Sequence, residues 1–65
     1  MIKVIDISDK YNGKHDWTLI VTTECSKYEI SGFSYYKEIL LEQESIMSFG
    51  FDPNNYDRCF INEIK

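Results

Sequence analysis

The stretch YNGKHDWTLIVTTE, residues 11–24, limits the possible folds of this chain more than any other segment. Asn12-Gly13 favours a two-residue type I′ hairpin, because both central residues of that turn need positive φ. The residues after the turn alternate, and one face of a strand over 16–24 carries Trp17, Leu19, Val21 and Thr23. We expect this face to lie in the core of an antiparallel sheet.

Three further strands and one helix complete the pattern. A first strand is predicted from Met1 to Ile7, where the alternation changes phase between Val4 and Ile5, which indicates either a bulge or burial on both faces. Residues 27–31 predict a third strand, and residues 56–64 predict a last one after the turn at 52–55. The helix is predicted over 35–48, with Ser34 as its N-cap and Gly50 as its terminator.

The order β-β-β-α-β predicts an α+β fold, with a small antiparallel sheet and one helix packed on one face. We expect residues 1–65 to form a single compact domain. A chain of this size buries only about 60% of its unfolded surface. One core of that kind gives a net stability of roughly 3–5 kcal/mol. In domains of this size, a disulfide, a metal or a second copy of the chain often supplies additional stability.

The helical segment carries more apolar residues than one buried stripe needs. At 100° per residue the predicted buried stripe, with Gln43 at its middle, consists of Tyr36, Ile39, Leu40, Ile46 and Met47. Leu41 lies nearly opposite this stripe. It is either a lone exposed leucine, which is common, or a contact with another chain.

The outer helix face is the predicted partner-binding site. Leu41 would be its apolar anchor and Tyr35 a flanking aromatic residue. Glu38 and Glu42 would form an acidic rim that selects a basic partner.

The net charge and the lack of long apolar segments restrict the kinds of partner that the sequence predicts. The net charge of −4 and the pI of about 4.7 disfavour phosphate-rich or anionic-lipid partners and favour a basic protein surface. We expect a cytoplasmic protein with no membrane partner, since the start shows no signal peptide and no apolar run reaches about 20 residues. Cys25 and Cys59 are expected to be reduced thiols, with a disulfide between them as the alternative.

The sequence predicts neither an enzyme nor a cofactor or metal protein. His15 and the two isolated cysteines lack the spacing of zinc ligands, and phosphate-binding glycine motifs are absent from the sequence. A chain this short has little material for a substrate pocket. His15 is expected to be a solvated turn residue rather than a base oriented by Asp16.

By elimination, we expect a small acidic intracellular protein that binds a larger protein and inhibits or modulates it. Alanine is absent and residues with AT-rich codons abound, which favours a low-GC genome such as that of a phage or mobile element. Such a protein could block a host enzyme or defence system. One alternative is a self-assembling structural module, with a homodimer expected. Another is a nucleic-acid-binding module that uses the hairpin loop at residues 9–17. Mimicry of DNA by the acidic residues is a further interpretation.

Overall fold

The described residues form the predicted succession of strands and helix. The structure, a computed structural model, describes residues 2–56 and 60–64. The elements are β1 (Val4–Gly13), β2 (Asp16–Thr23), β3 (Lys27–Phe33), α1 (Tyr36–Phe49), a 3-10 helix (Pro53–Asn55) and β4 (Phe60–Ile64). The strands pair antiparallel in the order β1-β2-β3-β4. The predicted α+β class, with one helix between the third and fourth strands, is confirmed.

The first hairpin turns two residues later than predicted. Gly13 pairs with Asp16, so Lys14 and His15 form the tip. The predicted turn centre at Asn12-Gly13 is therefore wrong. β1 also runs well beyond the predicted end at residue 7, and the predicted start at residue 1 lies outside the described residues.

The reason for the shift is local. The Asn12 side chain donates to Thr18 Oγ1 at 2.7 Å, which ties this residue to β2. The pairing is irregular between Tyr11 and Gly13, and Gly13 has a φ of 151°. The conformational freedom of this glycine is thus used in a bulge rather than in the turn itself. The left-handed position at the tip falls to His15, whose φ is 59°.

The phase change near the start of β1 is a bulge. The register with β2 shifts between Val4 and Asp6, which leaves Ile5 as the extra, exposed residue. Val4 and Ile7 consequently both pack against the core, although they are three residues apart. Of the two interpretations of the phase change, the bulge is confirmed.

The core lies between the sheet and α1. The predicted core face of β2 is confirmed, since Leu19 and Val21 are fully buried and Trp17 packs against the core from a half-buried position. The buried apolar set consists of Leu19, Val21, Tyr28, Ile30, Phe33, Ile39, Ile46 and Phe51. α1 contacts mainly the two central strands, β2 and β3.

The last strand is described over Phe60–Ile64. β4 begins at Phe60, and Tyr56 follows the 3-10 helix outside any strand. Residues 57–59 of the predicted strand lie outside the described residues. Among those described, no helix combines the length and apolar character needed to cross a bilayer.

The second face of the sheet points away from α1. On β1 this face carries Asp6, Ser8 and Lys10, whose cross-strand partners on β2 are Thr22, Ile20 and Thr18. Short polar and charged side chains therefore dominate this part of the outer face.

Candidate binding surface

The predicted partner-binding residues do not form one surface. Tyr35 and Leu41 are 59% and 50% exposed, as an outer face requires. Glu38 is half-buried, and Glu42 is only 4% exposed. The placement of Glu42 on the outer face is therefore wrong.

Glu42 is buried because the interior offers its carboxyl group a partner. The hydroxyl of Tyr56 donates a hydrogen bond to Glu42 Oε2. A buried polar group with such a partner avoids most of the cost of leaving water. α1 consequently turns Ile39, Glu42 and Ile46 toward the sheet, so the true buried stripe is rotated from the predicted one.

Glu38 is engaged with the start of its own helix. Its Oε1 atom accepts hydrogen bonds from the backbone N–H groups of Ser34 and Tyr35 at 2.8 and 3.0 Å. The N-cap is Tyr35, one residue later than predicted, which places Glu38 at the third helical position. A glutamate there satisfies the backbone donors that precede a helix. This role leaves Glu38 less free to select a partner.

Tyr35 connects the helix start to the first hairpin. Its ring meets the ring of His15 edge-on, with centroids 5.1 Å apart. His15 is exposed at the hairpin tip, in the position predicted for a turn residue. Tyr35 and His15 therefore hold the tip of the first hairpin against the beginning of α1.

An apolar groove of about 600 Å³ runs between β1 and the C-terminal half of α1. Aliphatic side chains line it on both sides. They are Ile2, Val4, Ile5 and Ile7 on the strand side, and Ile46 and Met47 on the helix side. A concave site with apolar walls is the usual form of a binding surface.

The groove is open because the two flanks of α1 are covered differently. Toward β4, the ring of Phe51 packs against Tyr28 and Tyr56, with centroid distances of 5.4 and 6.1 Å. On the β1 flank, Ile2 pairs with Phe51 in an isolated antiparallel bridge at the border of the groove. Leu40 and Met47 on that flank are 48% and 80% exposed. These two residues of the predicted buried stripe are therefore placed wrongly, and so is Tyr36, which is 43% exposed.

One polar contact crosses the groove. The amide of Gln43 donates to Asp9 Oδ2 at 3.4 Å, linking α1 to β1. This contact gives a reason for a glutamine among the apolar residues of the helix. The aliphatic side chains that line the groove do not take part in this contact.

A row of aromatic rings continues the groove toward the first hairpin. Trp17 lies between Tyr11 and Tyr36, at centroid distances of 4.9 and 4.8 Å. Tyr11 and Tyr36 are 59% and 43% exposed. We call the groove, this aromatic row and Leu40 the groove side.

The groove side escaped the sequence-based prediction for a physical reason. Met47 and Leu40 fit an apolar stripe, and a stripe predicts burial unless the phase of the helix is known. One feature of the sequence did point to an exposed apolar surface. The helix carries more apolar residues than the part of its surface that faces one small sheet can bury.

The described residues include no group of three or more His, Cys, Asp or Glu side chains placed to hold a metal ion. Cys25 is an exposed free thiol, and Cys59 lies outside the described residues. Comparison of the chain with protein-family models, curated proteins and solved structures gave no match.

Proposed function

We propose that this protein acts by binding another protein through its groove side, without catalysing a reaction. The observation that carries the proposal is the open flank of α1, where Leu40 and Met47 stand exposed beside an aliphatic groove. Contiguous apolar patches of this kind mark interaction sites on small proteins. Tyrosine and methionine are also enriched where proteins meet.

The biological role that fits best is inhibition or modulation of a larger protein in the cytoplasm. The net charge of −4 favours a partner whose rim is basic. A chain of 65 residues works most simply by covering a surface of its target. A phage or mobile element of low GC content is the proposed source, and a host enzyme or defence system the proposed target.

Two variants separate the groove side from the sequence-predicted face. Met47→Lys places a charge beside the groove, whereas Leu41→Lys places the same charge about 120° away around the axis of α1. Tagged wild type and both variants would be used to capture proteins from a lysate of cells that express the chain. We expect a captured partner to be lost with Met47→Lys and retained with Leu41→Lys. The reverse result would return the site to Leu41 and Tyr35.

The aromatic row supports a second candidate, binding of single-stranded nucleic acid by stacking. Tyr11 and Tyr36 are exposed, and Lys10 and Lys14 lie in the same hairpin. Bases stack on such rings, and lysines attract phosphate. Asp9 and Asp16 oppose this attraction. Titration with single-stranded DNA at low salt tests it, because electrostatic binding is strongest there. Absence of binding would remove this candidate.

A further inference from the structure

We propose that a second copy of the chain pairs antiparallel with β1, with Ser8 opposite Ser8. This inference goes beyond the proposed function, because it adds self-association through the strand that borders the groove. β1 is an edge strand of the sheet, and the described residues place no strand on its outer side. An edge strand presents unpaired N–H and C=O groups that another strand can accept.

The regular part of β1 defines where such pairing can occur. The register with β2 is irregular between Val4 and Asp6 and again between Tyr11 and Gly13. Bulges twist a strand away from a neighbour. The stretch from Asp6 to Tyr11 is therefore the segment able to extend the sheet.

Charge complementarity fixes the register. Two identical antiparallel strands are related by a two-fold axis, so one residue must face its own copy. With Ser8 on the axis, Asp6 faces Lys10 of the second copy, and Lys10 faces Asp6 of the second copy. Both side chains lie on the outer sheet face, opposite Thr22 and Thr18 of β2. Two cross-strand pairs of opposite charge result, and each is favourable.

The neighbouring registers lack this match. An axis at Asp9 would set two aspartates opposite each other, which is unfavourable on adjacent strands. An axis at Ile7 would put Lys10 opposite Val4, beyond the regular stretch, and leave Asp6 opposite Ser8. Of the three, the Ser8 register alone pairs the strand's charges.

The same register brings exposed apolar groups together. Tyr11, at the end of the regular stretch, comes near the bulge at Ile5 of the second copy, and symmetry repeats the contact. These residues are 59% and 61% exposed in the single chain. The core-facing side of the added strand extends the wall of the groove beside Met47. The dimer thereby supplies the additional burial that a domain of this size often takes from a second copy.

Disulfide trapping tests the register directly. In a background with Cys25→Ser and Cys59→Ser, Ser8→Cys would place two thiols opposite each other, within the range of about 4.4–6.8 Å between Cα atoms that a disulfide spans. We expect mild oxidation to give a covalent dimer. Thr22→Cys is the matched control, since the two copies of β2 would stand about 14 Å apart, three strand spacings.

Charge reversal tests the same contact without a covalent cross-link. Light scattering over a concentration series would give the dissociation constant of the dimer. We expect Asp6→Lys and Lys10→Asp each to raise it about tenfold, because each change turns two attractive pairs into repulsive ones. The double variant should restore most of the affinity. Asp16→Lys and Lys14→Asp are charge-matched controls near the hairpin tip.

A wild-type monomer throughout the series, or equal trapping of Ser8→Cys and Thr22→Cys, would overturn the second copy as partner. The proposed function would survive that result if Met47→Lys still abolished capture of a different protein. If Met47→Lys changed neither self-association nor capture, the proposed function would fall as well.

Discussion

At the scale of single residues, Glu42 is the polar member of the buried face of α1. It is 4% exposed in the middle of the helix and receives a hydrogen bond from Tyr56. A periodicity analysis treats glutamate as an outward residue. The partner that reverses this lies 14 residues away in sequence, so no local pattern reveals it. Leu40 and Met47 are consequently turned out of the interior, because Glu42 shares the buried face with Ile39 and Ile46.

Removal of the Tyr56 hydroxyl should therefore be costly. Tyr56→Phe keeps the ring against Phe51 but takes a hydrogen bond from a buried carboxyl group. We expect the free energy of unfolding to fall by about 1–3 kcal/mol. Urea denaturation measures the change. Tyr35→Phe, at an exposed ring, is the matched control and should lie close to wild type. Equal stability of the two variants would contradict the role assigned to Glu42.

Asp52 gives a residue-scale prediction about pH. The Asn55 side chain donates to Asp52 Oδ2 at 2.7 Å, and the Asn54 backbone N–H donates to Oδ1 at 3.1 Å. The Asn55 contact, followed by the Asn54 contact, lowers the pKa of Asp52 below its ordinary value. The ionised form is thus favoured by folding. It contributes stability above the ordinary pKa, and this contribution is lost as the pH falls through the lowered pKa.

An NMR titration of the Asp52 carboxyl carbon checks this directly. We expect a midpoint below the ordinary aspartate value in the wild type and a return toward that value in Asn55→Ala. Identical midpoints in the two proteins would show that Asn55 does not hold the carboxylate.

At the scale of elements, the sequence predicts well where alternation is strong. The core face of β2 follows from period-2 spacing alone. The break in that spacing in β1 allowed either a bulge or burial on both faces, and the register with β2 decides for the bulge. The hairpin turn does not, because Asn12-Gly13 fits either a turn or a bulge. The Asn12 contact with Thr18 selects the bulge.

The helix start offers a clean element-scale prediction. Glu38→Ala removes the acceptor for two backbone N–H groups, and we expect a loss of about 1 kcal/mol in the free energy of unfolding. Glu38→Gln keeps an acceptor oxygen at that position and should remain near wild type. Chemical denaturation of both variants measures the difference. If Glu38→Gln and Glu38→Ala were equally destabilising, the contribution of Glu38 to stability would come from its charge rather than from its hydrogen bonds to the helix start.

At the scale of the whole molecule, the chain is asymmetric. One flank of α1 is closed by Phe51 and Tyr56, and the other faces the groove beside β1. The fold class was predictable from the order of patterns along the chain. The groove side was not, because it depends on the rotation of one helix and on which strand lies at the edge.

A concentration series of two-dimensional NMR spectra would test the groove side most directly as the contact surface. We predict that signals from Asp6 to Lys10 and the methyl groups of Met47 and Leu40 shift together as the concentration rises. Signals of Leu41 and of the exposed Phe60 on β4 should stay in place. Shifts centred on Leu41 or on β4, or no shift over the accessible range, would contradict self-association through the groove side.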